Sequence, residues 1–142
     1  MAAALTITHY TDPACPWAFS AEPFRLKLDW MYGDQLEWDV RLVGLSDDPA
    51  AAVARGFTPE VLAGAFAMIG REHKMPIDTS VPERMAASVP ACRAVVAARL
   101  NDAERMPALL RALRVRTFRG ELLDAQETLD GAAADAGIDP AA

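Results

Sequence analysis

The 142 residues, 52% hydrophobic and 24% charged, suit one packed domain or one domain carrying a large insertion. A formal net charge of −6 gives the chain as a whole no electrostatic reason to collect nucleic acid or anionic membrane. No run reaches membrane-spanning length, the N-terminus lacks the basic and apolar regions of a secretory leader, and two cysteines with two histidines are too scattered for a metal centre. The expected location is therefore cytoplasmic, where cysteines are normally reduced.

Leu5 to Tyr10 begins by alternating apolar and polar residues and is rich in β-branched ones, which predicts a strand stopped by Thr11-Asp12-Pro13. After Cys15-Pro16, the spacing of Phe24, Leu28 and Met31 predicts a helix, with Gly33 ending it in the left-handed conformation. Alternation from Leu36 through Trp38, Val40 and Leu42 predicts a second strand reaching Leu45. Strand, helix and strand in this length make a βαβ unit with parallel strands and a right-handed crossover.

Beyond Leu45 only helices are expected. Thr58 before Pro59 caps one that runs past Ile69 to about Gly70, and His73 to Pro82 reads as a loop. Ser88 opens an alanine-rich helix broken at Asn101-Asp102, and Leu109 to Phe118 forms another, closed by Gly120. Asp124 with Glu127 predicts a capping box for the last helix, ending at Gly137. The division expected is residues 1–50 for the βαβ part and 51–142 for a helical domain. Charge is uneven here: Arg105, Arg111, Arg114, Arg116 and Arg119 precede the acidic stretch from Glu121 to Asp139. The favoured reading is a solvated face meeting its acidic neighbour, since no aromatic beyond Phe118 interleaves to stack bases.

The chemistry concentrates at Cys15-Pro16-Trp17-Ala18, where a strand gives way to a helix. Proline is at home in the first helical turn, so Pro16 marks Cys15 as the residue at the helix start. Unpaired amides and a partial positive charge there stabilise a thiolate, the attacking species in thiol–disulfide exchange. Asp12 opposes this as a nearby negative charge. In the two-cysteine form of the arrangement, a second thiol stands one turn further on to resolve the mixed disulfide. Here that position is Ala18.

A strand, then Asp12-Pro13-Ala14-Cys15-Pro16-Trp17, then a helix resembles the active-site stretch of DsbA-family thioredoxin-fold oxidoreductases, and in particular their cytosolic FrnE-like branch. Pro23, eight residues past Cys15, falls where thioredoxin-fold proteins often carry a helix-kinking proline. The run from Ser88 to Leu100 and the stretch from Glu121 to Asp139 are similar to that branch's insertion helices. The resemblance implies an α/β fold: a thioredoxin-like βαβ unit with a large all-helical insertion. It also implies a continuation, absent from this chain, that holds a cis-proline loop, two strands and a final helix. Either that segment or a second copy in a homo-oligomer is expected to complete the sheet.

Each residue also has a plainer role. Cys15 could be core filler, but its helix-start position favours a reactive thiol. Cys92, among alanines, reads first as packing; the sharper expectation makes it a distant resolving thiol. Trp17 is balanced between substrate contact and a half-buried loop residue. Ser20 reads as a surface serine. His9 reads as a partly buried, satisfied histidine, with proton handling beside the Cys15 loop as the alternative. Asp12 reads as a turn cap, and Met68, Met75, Met85 and Met106 read as gap filling.

Three functions follow. The first is a DsbA-like thiol–disulfide oxidoreductase acting through one cysteine on protein thiols and disulfides, with no bound cofactor and glutathione as co-substrate. The second is a glutathione-dependent enzyme resembling 2-hydroxychromene-2-carboxylate isomerases and kappa-class glutathione transferases, in which serine usually replaces the nucleophilic cysteine. The third is a non-catalytic scaffold for protein partners.

Overall fold

Two parallel strands joined by a long helix open the chain. The structure, a computed structural model, describes residues 5–140. Strand β1 (Leu5–Thr11) pairs in parallel with β2 (Leu36–Leu42), in a register that sets Leu5 against Leu36 and Thr11 against Leu42. Between them runs α1 (Pro16–Tyr32), which contains Pro23. It leans on β2 through Trp38, whose indole N–H donates to Asp29, itself ion-paired with Arg25 at 2.9 Å.

Two sequence expectations for this unit are corrected. Gly33 is right-handed (φ −54°) and continues α1 into a 3₁₀ turn over Gly33–Gln35, so no left-handed glycine ends the helix. Strand β2 stops at Leu42, because the Leu45 amide turns away to donate to the Asp12 carboxylate at 2.7 Å.

Five helices follow: α2 (Pro49–Ala54), α3 (Pro59–His73), α4 (Val89–Asn101), α5 (Met106–Phe118) and α6 (Gln126–Asp135). Helix α2 was not anticipated, although Asp48 before Pro49 repeats the start signal of Thr58 before Pro59; both cap residues accept a backbone amide. Helix α3 runs three residues past Gly70, and Lys74 (φ 54°) closes it where a glycine is usual. Helix α5 begins three residues ahead of Leu109. The capping box predicted for α6 does not form. Ala125 is its cap residue, and Asp124 instead holds Arg84 at 2.8 Å and accepts the Ala87 amide at 2.9 Å.

The main core lies between the inner face of β2 and helices α4, α5 and α6, with Val40, Val95, Leu109, Leu113, Leu123 and Ala132 in its interior. A second, aromatic cluster ties α1 to the helices: Phe19 stacks on Phe118 at 4.7 Å, and Phe66 meets Phe118 edge-on. Elsewhere the βαβ unit is sparsely covered. Tyr10, Phe24 and Trp30 are 71%, 70% and 84% exposed, as expected when a two-stranded sheet has little to bury it.

Gly120 follows α5 at φ +102°, and a Cβ there would stand 2.6 Å from Asp78 Oδ2. Gly120→Ala is expected to lower stability by about 1–3 kcal/mol, the range for a side chain forced into a sparsely populated backbone region. Urea unfolding checks it.

Candidate active site

Cys15 is the N-cap residue of α1, in extended conformation (φ −79°, ψ 112°), with Pro16 directly after it. Its own amide is spent on the Asp12 carbonyl at 3.1 Å, and its carbonyl accepts the Phe19 amide. No side chain caps the helix. Trp17 and Ala18 therefore present the amides of the first turn that lack an intrahelical acceptor. The Cys15 thiol is neither sealed nor fully bare, and no disulfide engages it.

The turn that holds Cys15 is built on Asp12, which is fully buried. One carboxylate oxygen accepts the Ala14 amide at 2.8 Å. The other accepts the Leu45 amide at 2.7 Å, the Ser88 hydroxyl at 2.9 Å and the Cys92 thiol at 3.4 Å. A single side chain thus binds the Cys15 turn, the segment after β2 and the start of α4. Ser88 is drawn into this network and gives α4 no side-chain cap.

Cys92 is buried on α4. Burial, then the Asp12 charge, then the hydrogen bond to Asp12 push its thiol up from 9.0 to about 12. A thiol held protonated in this way is a poor nucleophile as it stands.

His9 lines a different, smaller cavity with Trp38, Arg25 and Arg114, away from the space Cys15 opens into. Burial, followed by the charges of Arg114 and Arg25, lowers its pKa, so its imidazole is neutral at pH 7. Trp17 is half exposed and meets His73 edge-on at 5.3 Å.

Behind α1 lies a polar cluster that sequence reasoning did not find. Arg114, read from the sequence as part of a solvated face, is 1% exposed; its guanidinium donates to the Thr11 hydroxyl at 2.6 Å and lies 4.0 Å from Glu22. Arg111 reaches the same carboxylate at 3.2 Å. Ser20, expected at the surface, is buried. Burial lowers the pKa of Arg114, and the Glu22 charge acts against that. The sequence signal available was Glu22 two residues after Ser20 within an otherwise apolar turn, which does not reveal a partner on α5. Arg116 bridges Glu121 and Asp135, and Arg119 pairs with Glu121, meeting the acidic stretch as expected, whereas Arg105 pairs with Asp102.

Cys15 opens into a cavity of about 950 Å³, bounded by Trp17, the segment after β2, α2, α3, the loop before α4, and the residues around Gly120. No group of three or more histidine, cysteine or acidic side chains able to hold a metal ion occurs among the described residues. Nor is any helix among them long and apolar enough to cross a membrane.

No protein-family model matches the sequence, and no curated protein matches it. Solved structures do. A protein assigned as a disulfide isomerase from Nitrosomonas europaea superposes with a TM-score of 0.78 at 20% identity over 96% of this chain. The cytosolic disulfide reductase DsbM from Pseudomonas aeruginosa, solved with glutathione, gives 0.73 at 21% over 94%. A protein assigned as a DsbA oxidoreductase from Streptomyces coelicolor gives 0.68 at 17% over 96%. The chain spans 66%, 66% and 64% of the lengths of these three. At such identities the likeness is one of fold: the chain has the thioredoxin-like βαβ unit with a helical insertion that these disulfide-handling proteins share.

Proposed function

We propose that this chain carries out thiol–disulfide exchange through the single nucleophile Cys15. The observation that supports it most directly is a partly exposed Cys15 at the N-cap of α1, directly before the uncapped first turn and lining a large cavity. The Cys15 thiolate is the attacking species. The thiolate attacks one sulfur of a substrate disulfide. A Cys15–substrate disulfide forms, and the other sulfur leaves as a thiolate that takes a proton from solvent.

Ala18 has no thiol with which to release the product. A second thiolate from solution therefore attacks the mixed disulfide at the substrate sulfur. That returns the Cys15 thiolate and passes the disulfide to the incoming thiol. Glutathione suits this step, and DsbM, a structure of the same fold, was solved with it. A reducing cytoplasm would supply it. The pKa of Cys92 makes it an unsuitable resolving thiol unless α4 moves.

Alkylation with iodoacetamide at pH 7, followed by peptide mass mapping, tests the assignment. Cys15 is expected to be labelled at least about 100-fold faster than Cys92, whose thiolate is suppressed by burial and by Asp12. Cys15→Ser is expected to abolish mixed-disulfide formation, whereas Cys92→Ser keeps it. Equal labelling of both cysteines, or mixed disulfides formed by Cys15→Ser, would refute the proposal.

A further inference from the structure

The cavity beside Cys15 has an apolar floor and an acidic rim. Leu62, Phe66, Ile69 and Leu122 line its interior, and Phe57, 54% exposed, lies at its edge. Eight charged residues line it in all: Asp47, Asp48, Asp78, Glu83, Glu121 and Glu127 against Arg55 and Arg84. The ion pairs remove some of these from account. Arg84 is held by Asp124, and Glu121 is held by Arg116 and Arg119. What remains at the mouth is Asp47, Asp48, Asp78, Glu83 and Glu127, facing Arg55 alone. Hydrogen bonds from Ser80 lower the pKa of Asp78, so its charge persists well below neutral pH.

A concave surface lined by one sign of charge over a low-dielectric floor concentrates the opposite sign. Its volume stands at the upper end of the range for ligand pockets, and an apolar floor of that extent rewards side chains more than a small polar molecule. Resting on the assignment of Cys15 as nucleophile, we infer that the cavity receives a cysteine-bearing polypeptide segment rich in basic and apolar residues. The apolar side chains occupy the space between α2 and α3, the lysines or arginines meet the rim, and the segment's disulfide is presented to Cys15. Glutathione, with a net charge of −1 at pH 7, is repelled by the same rim. It serves as the smaller resolving thiol and not as the preferred occupant.

The test compares three disulfides for the rate at which Cys15 forms a mixed disulfide, using the whole chain. One is an apolar cysteine peptide with lysines, the second the same peptide with glutamates, each as the mixed disulfide with thionitrobenzoate. The third is the small neutral disulfide of 2-mercaptoethanol. At low ionic strength the basic peptide is expected to react at least about tenfold faster than the acidic one, within the range for electrostatic steering. The ratio should fall towards one in about 0.5 M salt, where screening is strong. The triple variant Asp47→Asn/Glu83→Gln/Glu127→Gln, whose three side chains make no hydrogen bond or ion pair among the described residues, should reduce the ratio several-fold. If the neutral disulfide reacts but the two peptides react equally, or if the triple variant keeps the full ratio, the inference about substrate class is overturned alone. If the neutral disulfide leaves Cys15 untouched, the nucleophile assignment fails and takes the inference with it.

Discussion

Asp12→Ala is expected to cost the fold about 3–5 kcal/mol in urea denaturation, the range for removing one member of a buried charged network. The carboxylate accepts from two backbone amides, a hydroxyl and a thiol, all brought together in its buried setting. Alanine leaves those donors without partners, and each unsatisfied buried donor is itself worth about 1–3 kcal/mol. Water entering the vacated space would recover part of that, which keeps the total below the sum. Asp12→Asn preserves shape and one acceptor oxygen, and should cost about half as much. Because Ala14 and the Cys15 turn hang from the same carboxylate, either change is also expected to slow Cys15 alkylation.

The same network sets a pH dependence. The thiol of Cys92 ionises at 9.0 when unfolded and at about 12 when folded. A group whose folded pKa is raised contributes stability in full below its unfolded pKa and loses that contribution as pH rises towards the folded one. The chain should therefore weaken between about pH 9 and 12. Cys92→Ala should lose less over that interval, and Asp12→Asn should fall between the two, since it removes the charge but not the burial. A urea midpoint that declines identically with pH in all three proteins would show that the thiol carries no such linkage.

Arg114→Met is the second large effect expected: about 3 kcal/mol lost, at the lower end for breaking a buried pair, because Arg111 remains 3.2 Å from Glu22. The substitution leaves a carboxylate that is 3% exposed facing an apolar side chain and strips the Thr11 hydroxyl of its guanidinium donor. Among the described residues, Glu22 Oε2, Arg114 Nε and Ser20 Oγ already find no hydrogen-bond partner. The cluster therefore holds itself together at some cost, and emptying it of charge altogether should be tolerated. Arg114→Met/Glu22→Leu is expected to recover most of the loss, with a coupling of about 2 kcal/mol between the two sites. Simple additivity in the double variant would contradict a direct pair. Since β1, α1 and α5 meet at these residues, the measurement also reports how firmly α5 holds α1.

The two strands, α1, α3, α4, α5 and α6 were all legible in the sequence. Periodicity and the helix-start residues Cys15 and Thr58 are local signals, and local signals survive folding where nothing competes for them. They failed where a distant partner did compete. Asp124 looked like a helix cap but is claimed by Arg84, and Leu45 looked like strand but its amide is claimed by Asp12. Gly33 does follow the last residue of α1 as its cap, but in a right-handed turn into β2 and not in the left-handed conformation expected of it. For the candidate site, Cys15, Pro16, Trp17 and Asp12 were found from the strand-to-helix junction. Arg114 and Ser20 were misread as solvated, because a charge at one turn of α5 carries no mark of the carboxylate waiting on α1.

By itself the sequence determined the order of the strands and of every helix but α2, the break at Asp12-Pro13 and a cysteine at the start of a helix, since these depend on residues within a few positions of one another. Only the tertiary structure decided what surrounds that cysteine. Asp12 stands 76 positions from Ser88 and 80 from Cys92, and Thr11 stands 103 from Arg114; only packing brings them within hydrogen-bond distance. The acidic mouth and apolar floor of the cavity have the same origin, gathered from α2, α3, α6 and the loops between them. Burial turns these distant polar groups into partners, because a polar group removed from water must find another nearby.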